Sequence, residues 1–280
     1  MLAYDFEYYL PDTLQEAMDI YTFVQDQGKK PFYYSGGTEI ISMSRVFNLR
    51  PDAVIDIKNI PDCSGIGTDG SKLIFGAAST LSAIQEADLF PLLSLAASRV
   101  ADHTIQCKLT LGGNLAGTII YHETLLPLLL SDSTIEIFGP IGSKSVPIAD
   151  VLSNGKKLAH GELIVKVSVD NQITNLPYFH IKKSKTEKIG YPLVSLCALY
   201  QDGDLRLAVS GLCEYLFRFN DTRVKGSQSA ADISEQLAAQ IPAPVLNDLE
   251  GSANYRLFIF KKTVEKIIIE SKKSGGNGHA

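Results

Sequence analysis

Two short segments of this chain carry the residue types that can hold a diphosphate. Ser35-Gly36-Gly37-Thr38-Glu39 follows a strand-like run, Pro31 to Ser35, and leads into a stretch of helical character from Thr38 to Phe47. Thr110-Leu111-Gly112-Gly113-Asn114-Leu115-Ala116-Gly117 repeats the device, with an apolar lead-in, paired glycines and a polar side chain. Absent Cβ atoms let the backbone approach an anion closely, exposed amide N–H groups supply donors, and a helix start adds favourable dipole charge. Thr38, Thr110 and Asn114 add side-chain hydrogen bonds that fix a ligand's register. One glycine pair alone is common turn punctuation. Two of the same design are expected to meet across one ligand.

Other motifs dissolve in context. Gly65-Ile66-Gly67-Thr68-Asp69-Gly70 spells a dinucleotide fingerprint, but a β-branched apolar strand follows where that fingerprint needs a helix, so a hairpin is expected. Gly142-Ser143-Lys144-Ser145 echoes the end of a phosphate loop without its upstream glycine spacing, and is read as a turn. His122-Glu123 lacks the second histidine of a zinc helix, because Leu126 stands in its place. The five histidines are scattered and the four cysteines, Cys63, Cys107, Cys197 and Cys213, form no C-x-x-C pair, so neither a metal site nor a cluster is signalled. The cysteines read as reduced thiols packed as small hydrophobes.

The elements that must position the glycine segments can be read from periodicity. Thr13 to Glu16 is a capping box, and Leu14, Ala17, Met18, Tyr21 and Val24 recur at helical spacing up to Gly28. Strands are expected at 53–57, 72–77, 134–138 and 163–169, and helices at 80–87, 91–100 and 123–130. A polar stretch, 171–175, would serve as a linker; beyond it come a hairpin of 193–200 with 205–210 and helices at 232–241 and 255–269. Ser271 to Ala280 is polar and glycine-rich, with mobility expected.

At 280 residues the chain suits two domains, and 45% hydrophobic with 20% charged residues is an ordinary globular composition. A net charge of -5 argues against a nucleic-acid surface, which needs clustered Lys and Arg. Acidic residues near Met1 and the shortness of the apolar runs argue against a signal peptide or a membrane span. A cytoplasmic protein is expected.

These residues resemble the FAD-binding (medium) subunits of the xanthine dehydrogenase and carbon monoxide dehydrogenase family of molybdenum hydroxylases. That family carries an A-G-G-T-D/E-L turn, matched by Ser35 to Ile40, then a P-x-x-x-I-D-I strand, matched by Pro51 to Ile57. Phe75 to Thr80 is similar to its I-G-A-x-T segment, Thr110 to Leu115 to its T-I/L-G-G-N-I/L turn, and Gly251 to Arg256 to its G-S-x-x-Y-R element. The resemblance spans nearly the whole chain. It departs where Ile119-Ile120 replace a Ser-Pro pair and where Gly117 replaces an Asn or Thr.

The resemblance implies an α+β fold: a two-part α/β FAD-binding domain of PCMH type over 1–170 (parts about 1–57 and 58–170), then a smaller α+β domain with an antiparallel sheet over 176–270. Carried over by position, FAD would be lined by Tyr34, Ser35, Gly36, Gly37, Thr38, Glu39, Ile40, Thr110, Gly113, Asn114, Gly117 and Ile164. Glu123 stands where the family has an aspartate touching ribose or adenine-side hydroxyls. By itself it also reads as a surface acid at a helix start. A basic residue reaching the flavin from the second domain would be Lys183 or Lys185, which alone read as a solvated basic loop.

A flavin exchanges electrons singly or in pairs, so the implied role is transfer from [2Fe-2S] clusters through FAD to NAD or another acceptor. This sequence offers no ligands for clusters or molybdenum. The implied partners are therefore a [2Fe-2S] subunit and a molybdopterin-binding large subunit, with no catalytic residue of this chain acting on the hydroxylated substrate. A flavin-free scaffold subunit is the alternative, suggested by Ile119-Ile120 and Gly117. A free-standing flavoenzyme is a third reading, made less attractive by the absence of Trp and of paired carboxylates.

Overall fold

Thr13 begins the first helix. Its Oγ1 accepts from the Glu16 amide at 3.1 Å and opens α1 (Leu14–Asp26), which follows a short strand, β1 (Glu7–Tyr9). The Glu16 carboxylate accepts from the Asp12 amide at 2.9 Å rather than from Thr13, so the capping box closes one residue early. Ala17, Met18, Tyr21 and Val24 form the buried stripe. The structure is a computed structural model and describes residues 4–185, 190–224 and 226–272, with the backbone of 273.

Three sheets organise the described residues into an α+β fold. The first unit continues with β2 (Pro31–Tyr34), α2 (Thr38–Arg45) and β3 (Ala53–Asp56), in a parallel sheet ordered β1-β3-β2. Central β3 is buried throughout, as expected of a strand covered on both faces. The second unit starts with the hairpin β4 (Ile66–Asp69) and β5 (Lys72–Gly76), then α3 (Leu81–Ala87), α4 (Pro91–Ser98), α5 (His103–Gln106), α6 (Leu111–Ala116) and α7 (Leu125–Leu130). It closes with β6 (Thr134–Gly139), β7 (Gly142–Pro147), α8 (Ile148–Leu152) and β8 (Leu163–Asp170), giving the antiparallel order β4-β5-β8-β6-β7. The third sheet holds β9 (Tyr178–Ser184), β10 (Pro192–Gln201), β11 (Asp204–Ser210), β12 (Phe217–Arg218) and β13 (Thr222–Arg223). Its order is β12-β11-β10-β9 with β13 on β11, and α9 (Ala230–Ala238) and α10 (Ala253–Lys273) complete the unit.

Four readings of the sequence are corrected. Thr110 to Gly117 is no turn: Thr110 caps a helix that contains both glycines. Gly142 to Ser145 lies inside strand β7, with Lys144 paired to Glu162. The helix expected from Glu123 begins at Leu125, which leaves Pro127 in its first turn, where a missing N–H is tolerated. The final helix runs on through Lys273 with Ser271 buried, and the rest of the glycine-rich end lies outside the described residues.

The second and third sheets share one core. Cys197, Leu199, Ala208 and Leu216 pack into the same cluster as Leu73, Phe75, Leu125 and Ile164, while Phe260, Val264, Ile267 and Ile268 of α10 close a separate core behind the third sheet. The polar stretch 171–175 is an ordered turn with Thr174 buried.

Arg256 is the largest fully buried side chain. Its Nη1 donates to the carbonyls of Leu193 and Gly211 at 2.6 and 2.7 Å, and its Nη2 donates to both Asp248 oxygens at 2.7 and 2.9 Å. It thereby pins the start of α10 to the β10 and β11 ends. Arg256→Met strands these acceptors, and urea unfolding of the full chain is expected to show a loss of roughly 3 kcal/mol. A loss near zero would show that the carbonyls need no such partner.

Candidate functional site

The first glycine segment lies directly on the chain that leads into the second. Strand β2 ends at Tyr34, and Ser35 is buried with its Oγ lacking a hydrogen-bond partner among the described residues. A Cβ on Gly36 would stand 1.9 Å from the Lys108 carbonyl oxygen, so only glycine permits this approach. Gly37, at φ +67°, turns the chain into α2 above the Tyr34 ring. The backbone N–H groups of Gly36, Gly37, Thr38, Glu39 and Ile40 then make no hydrogen bond within the described residues. Five neighbouring donors at a helix start form an anion cradle.

The second segment works differently. Leu111 N–H donates to the Ser79 carbonyl, Gly112 to Ala77, Gly113 to Thr110 Oγ1 and Asn114 to the Thr110 carbonyl. No N–H at the start of α6 is left for a ligand. Gly112 is needed for packing, since a Cβ there would meet the Ala77 Cβ at 2.8 Å. The expectation that both segments offer amide donors therefore holds for the first alone, and α6 serves as a wall.

Side chains tie the two together. Glu39 Oε1 accepts from Thr118 N at 2.8 Å and from Thr118 Oγ1 at 2.6 Å, and its Oε2 fills the space that a side chain at Gly117 would take. Asn114 Oδ1 accepts from Thr124 Oγ1 at 2.6 Å, and its carbonyl lies 2.6 Å from His122 Nδ1, which commits Asn114 to folding segment 117–124 back over α6. Tyr34 and Ile40 line an apolar cleft of about 220 Å³ with Phe6, Tyr8, Ile41 and Arg45. Ile164 is buried in the shared core.

Glu123 is not a surface acid, being 3% exposed. Lys182 Nζ sits 2.8 Å from its Oε1, yet burial still pushes the carboxyl above the ordinary carboxylate range. The cation at Glu123 is thus Lys182, whereas Lys183 is exposed and Lys185 donates to the Leu249 carbonyl at 3.2 Å. Lys188, at the end of the same basic run, falls outside the described residues. No signal in the Lys182-Lys183-Ser184-Lys185 run singled out Lys182, because the choice depends on which face of β9 each lysine occupies. Beside this pair lies a groove of about 720 Å³ lined by Arg99, His103, Gln106, His180, Lys182 and Lys266 among others.

Residues 4–171 match the family described as the FAD binding domain in molybdopterin dehydrogenase. The chain belongs to that family. It is 23% identical to the nicotine 6-hydroxylase medium subunit of Paenarthrobacter nicotinovorans, over 94% of this chain and 96% of that protein. It is 26% identical to the carbon monoxide dehydrogenase medium chain of Hydrogenophaga pseudoflava (96% and 97% covered) and to the xanthine dehydrogenase FAD-binding subunit of Escherichia coli O157:H7 (86% and 89%). The fold matches a chain of quinoline 2-oxidoreductase from Pseudomonas putida 86 with a TM-score of 0.83 at 22% identity, over 98% and 99% of the two chains. The protein is an FAD-binding medium subunit of the molybdenum hydroxylase family, an oxidoreductase component whose cofactor is FAD. No helix among the described residues is long and apolar enough to cross a membrane.

The local chemistry fits a dinucleotide: five unpaired N–H donors, an orphaned buried Ser35 hydroxyl and a glycine backbone with no side chain in the way. Gly36→Ala forces Lys108 away and is expected to weaken FAD binding at least about tenfold, alongside a stability loss of about 1–3 kcal/mol. Fluorescence titration of the full chain with FAD checks this. Unchanged affinity would show that the Gly36–Lys108 contact does not shape the cradle.

Proposed function

We propose that this chain holds the diphosphate of FAD on the N–H groups of Gly36 to Ile40 and serves as the electron-transfer subunit of its complex. The run of unpaired donors carries this reading. Ser35 and Thr38 add hydroxyls beside them, while Thr110, Gly113, Asn114 and Gly117 wall the opposite side; Tyr34 and Ile40 supply apolar surface and Ile164 backs the site only from within the shared core. Glu123 with Lys182 presents a buried ion pair to the cofactor's polar edge, and Lys183 remains available from the exposed face of β9.

FAD, when bound, supplies the interconversion of single-electron and hydride transfer. What this chain's own residues would do is bind and orient: backbone amides would neutralise the diphosphate, Glu39 ties Thr118 to the start of α2, and the Lys182–Glu123 pair would set the charge met by the cofactor's polar edge. Electrons would arrive from a partner [2Fe-2S] subunit, and substrate hydroxylation would take place in a molybdopterin-binding large subunit. NAD or another acceptor would take the electrons away. The relatives named above include chains from nicotine, carbon monoxide and xanthine enzymes, so a purine substrate has no privileged place in this reading. A cytoplasmic, heterotrimeric assembly of the xanthine dehydrogenase type completes it.

Purified alone, the full chain is expected to carry FAD that heat releases and chromatography identifies. Under anaerobic conditions NADH should bleach it, whereas hypoxanthine should not. A chain that binds no FAD on reconstitution, yet co-purifies with larger subunits, overturns the electron-transfer role and leaves a scaffold.

A further inference from the structure

Lys182 does not hold its place unaided. Its Nζ donates to the Arg99 carbonyl at 2.8 Å as well as meeting Glu123. Arg99 follows the end of α4, and its Nη1 donates to the His180 carbonyl and lies 3.2 Å from His180 Nδ1. His180 Nε2 in turn lies 3.2 Å from Ser195 Oγ. His180 and Ser195 sit on β9 and β10 and are 2% and 0% exposed. A continuous polar chain, Ser195–His180–Arg99–Lys182–Glu123, thus runs from the third sheet to the segment that folds back over α6 and meets Glu39 at Thr118.

The imidazole is held neutral. Burial, with Arg99 and Lys182 beside it, pushes its pKa down to about 3. An unprotonated Nδ1 can accept from the guanidinium, which leaves the Nε2 proton for Ser195; this is the tautomer that satisfies both neighbours. A neutral acceptor is the group this spot requires, since a protonated ring would add a third cation beside Arg99 and Lys182. Simple packing does not call for the arrangement, because an apolar side chain on β9 would fill the same space without desolvating polar groups.

The bonding of Pro177 shows which edge of β9 is free. Tyr200 N donates to the Pro177 carbonyl, so alternate residues from 177 bond to β10 and the backbone groups of His180 and Lys182 face outward, toward α4. Arg99 takes the His180 carbonyl on that outer edge, and this docks α4 against the strand. Any displacement of Arg99 therefore moves the carbonyl on which Lys182 rests.

We propose that His180 and Arg99 are positioning residues for the cofactor site: His180 anchors Arg99, whose carbonyl holds Lys182 against Glu123, so that the third sheet sets the charge presented to bound FAD. The inference rests on the cofactor reading given above. It assigns a role in cofactor binding to two residues that lie outside both glycine segments.

The test compares full-length chains carrying Lys182→Met, His180→Phe, His180→Asn and Arg99→Met with the unsubstituted chain. FAD dissociation constants and the midpoint potential of the bound flavin are measured for each. Lys182→Met is expected to weaken FAD binding about tenfold and to shift the potential. His180→Phe is expected to reproduce both changes, and His180→Asn, whose amide oxygen can accept from Arg99, to restore both toward the unsubstituted values. Arg99→Met gives the same comparison without opening the buried imidazole site, should His180→Phe fail to fold. Binding and potential unaltered in His180→Phe and Arg99→Met while Lys182→Met changes them would overturn the inference alone, as would a Lys182→Met chain indistinguishable from the unsubstituted one. An unsubstituted chain that binds no FAD would overturn the cofactor reading and this inference with it.

Discussion

The close approach of Gly36 to the Lys108 carbonyl is the constraint on which the site depends. Two segments about seventy residues apart in sequence meet backbone to backbone, and a single methyl group at Gly36 would separate them by overlap at 1.9 Å. Because they meet, the start of α2 lies beside the end of α6, and the carboxylate of Glu39 can reach Thr118 across the gap. The cradle is thus a product of tertiary packing. The amide donors on it are local to one helix start, but the wall opposite them is α6, a helix of the second unit.

The two glycine pairs divide the labour. The first leaves five N–H groups without a partner among the described residues, open to an acceptor from outside the chain. The second spends its amides on Ser79, Ala77 and Thr110, and its Gly112 lets α6 lie against the segment that follows β5. Free amide donors and structural closure are therefore carried by sequence motifs that look alike.

That likeness explains what the sequence revealed and what it hid. The strand, glycine turn and helix at 31–45 were legible because hydrophobic period and glycine placement agree there, and the strands and long helices followed from the same periodicity. The helical state of Leu111–Ala116 was not legible, since two adjacent glycines disfavour a helix and only the tertiary contact with Ala77 accounts for Gly112. The identity of the lysine at Glu123 was hidden for a related reason. Three lysines in four residues blur the alternation of a strand, and a shift of one residue carries each side chain to the other face. Burial of Glu123 likewise depends on β9 arriving from the third sheet, which no local pattern announces. The shared core between the second and third sheets adds to this: the unit that brings Lys182 is folded against the unit that carries Glu123.

Amide hydrogen exchange tests the central claim most directly. In the free chain the N–H groups of Gly36 to Ile40 should exchange rapidly, and saturating FAD should slow all five while leaving the already bonded amides of Leu111 to Asn114 unchanged. Equal exchange at Gly36 to Ile40 with and without FAD, or new protection confined to α6, would contradict the account.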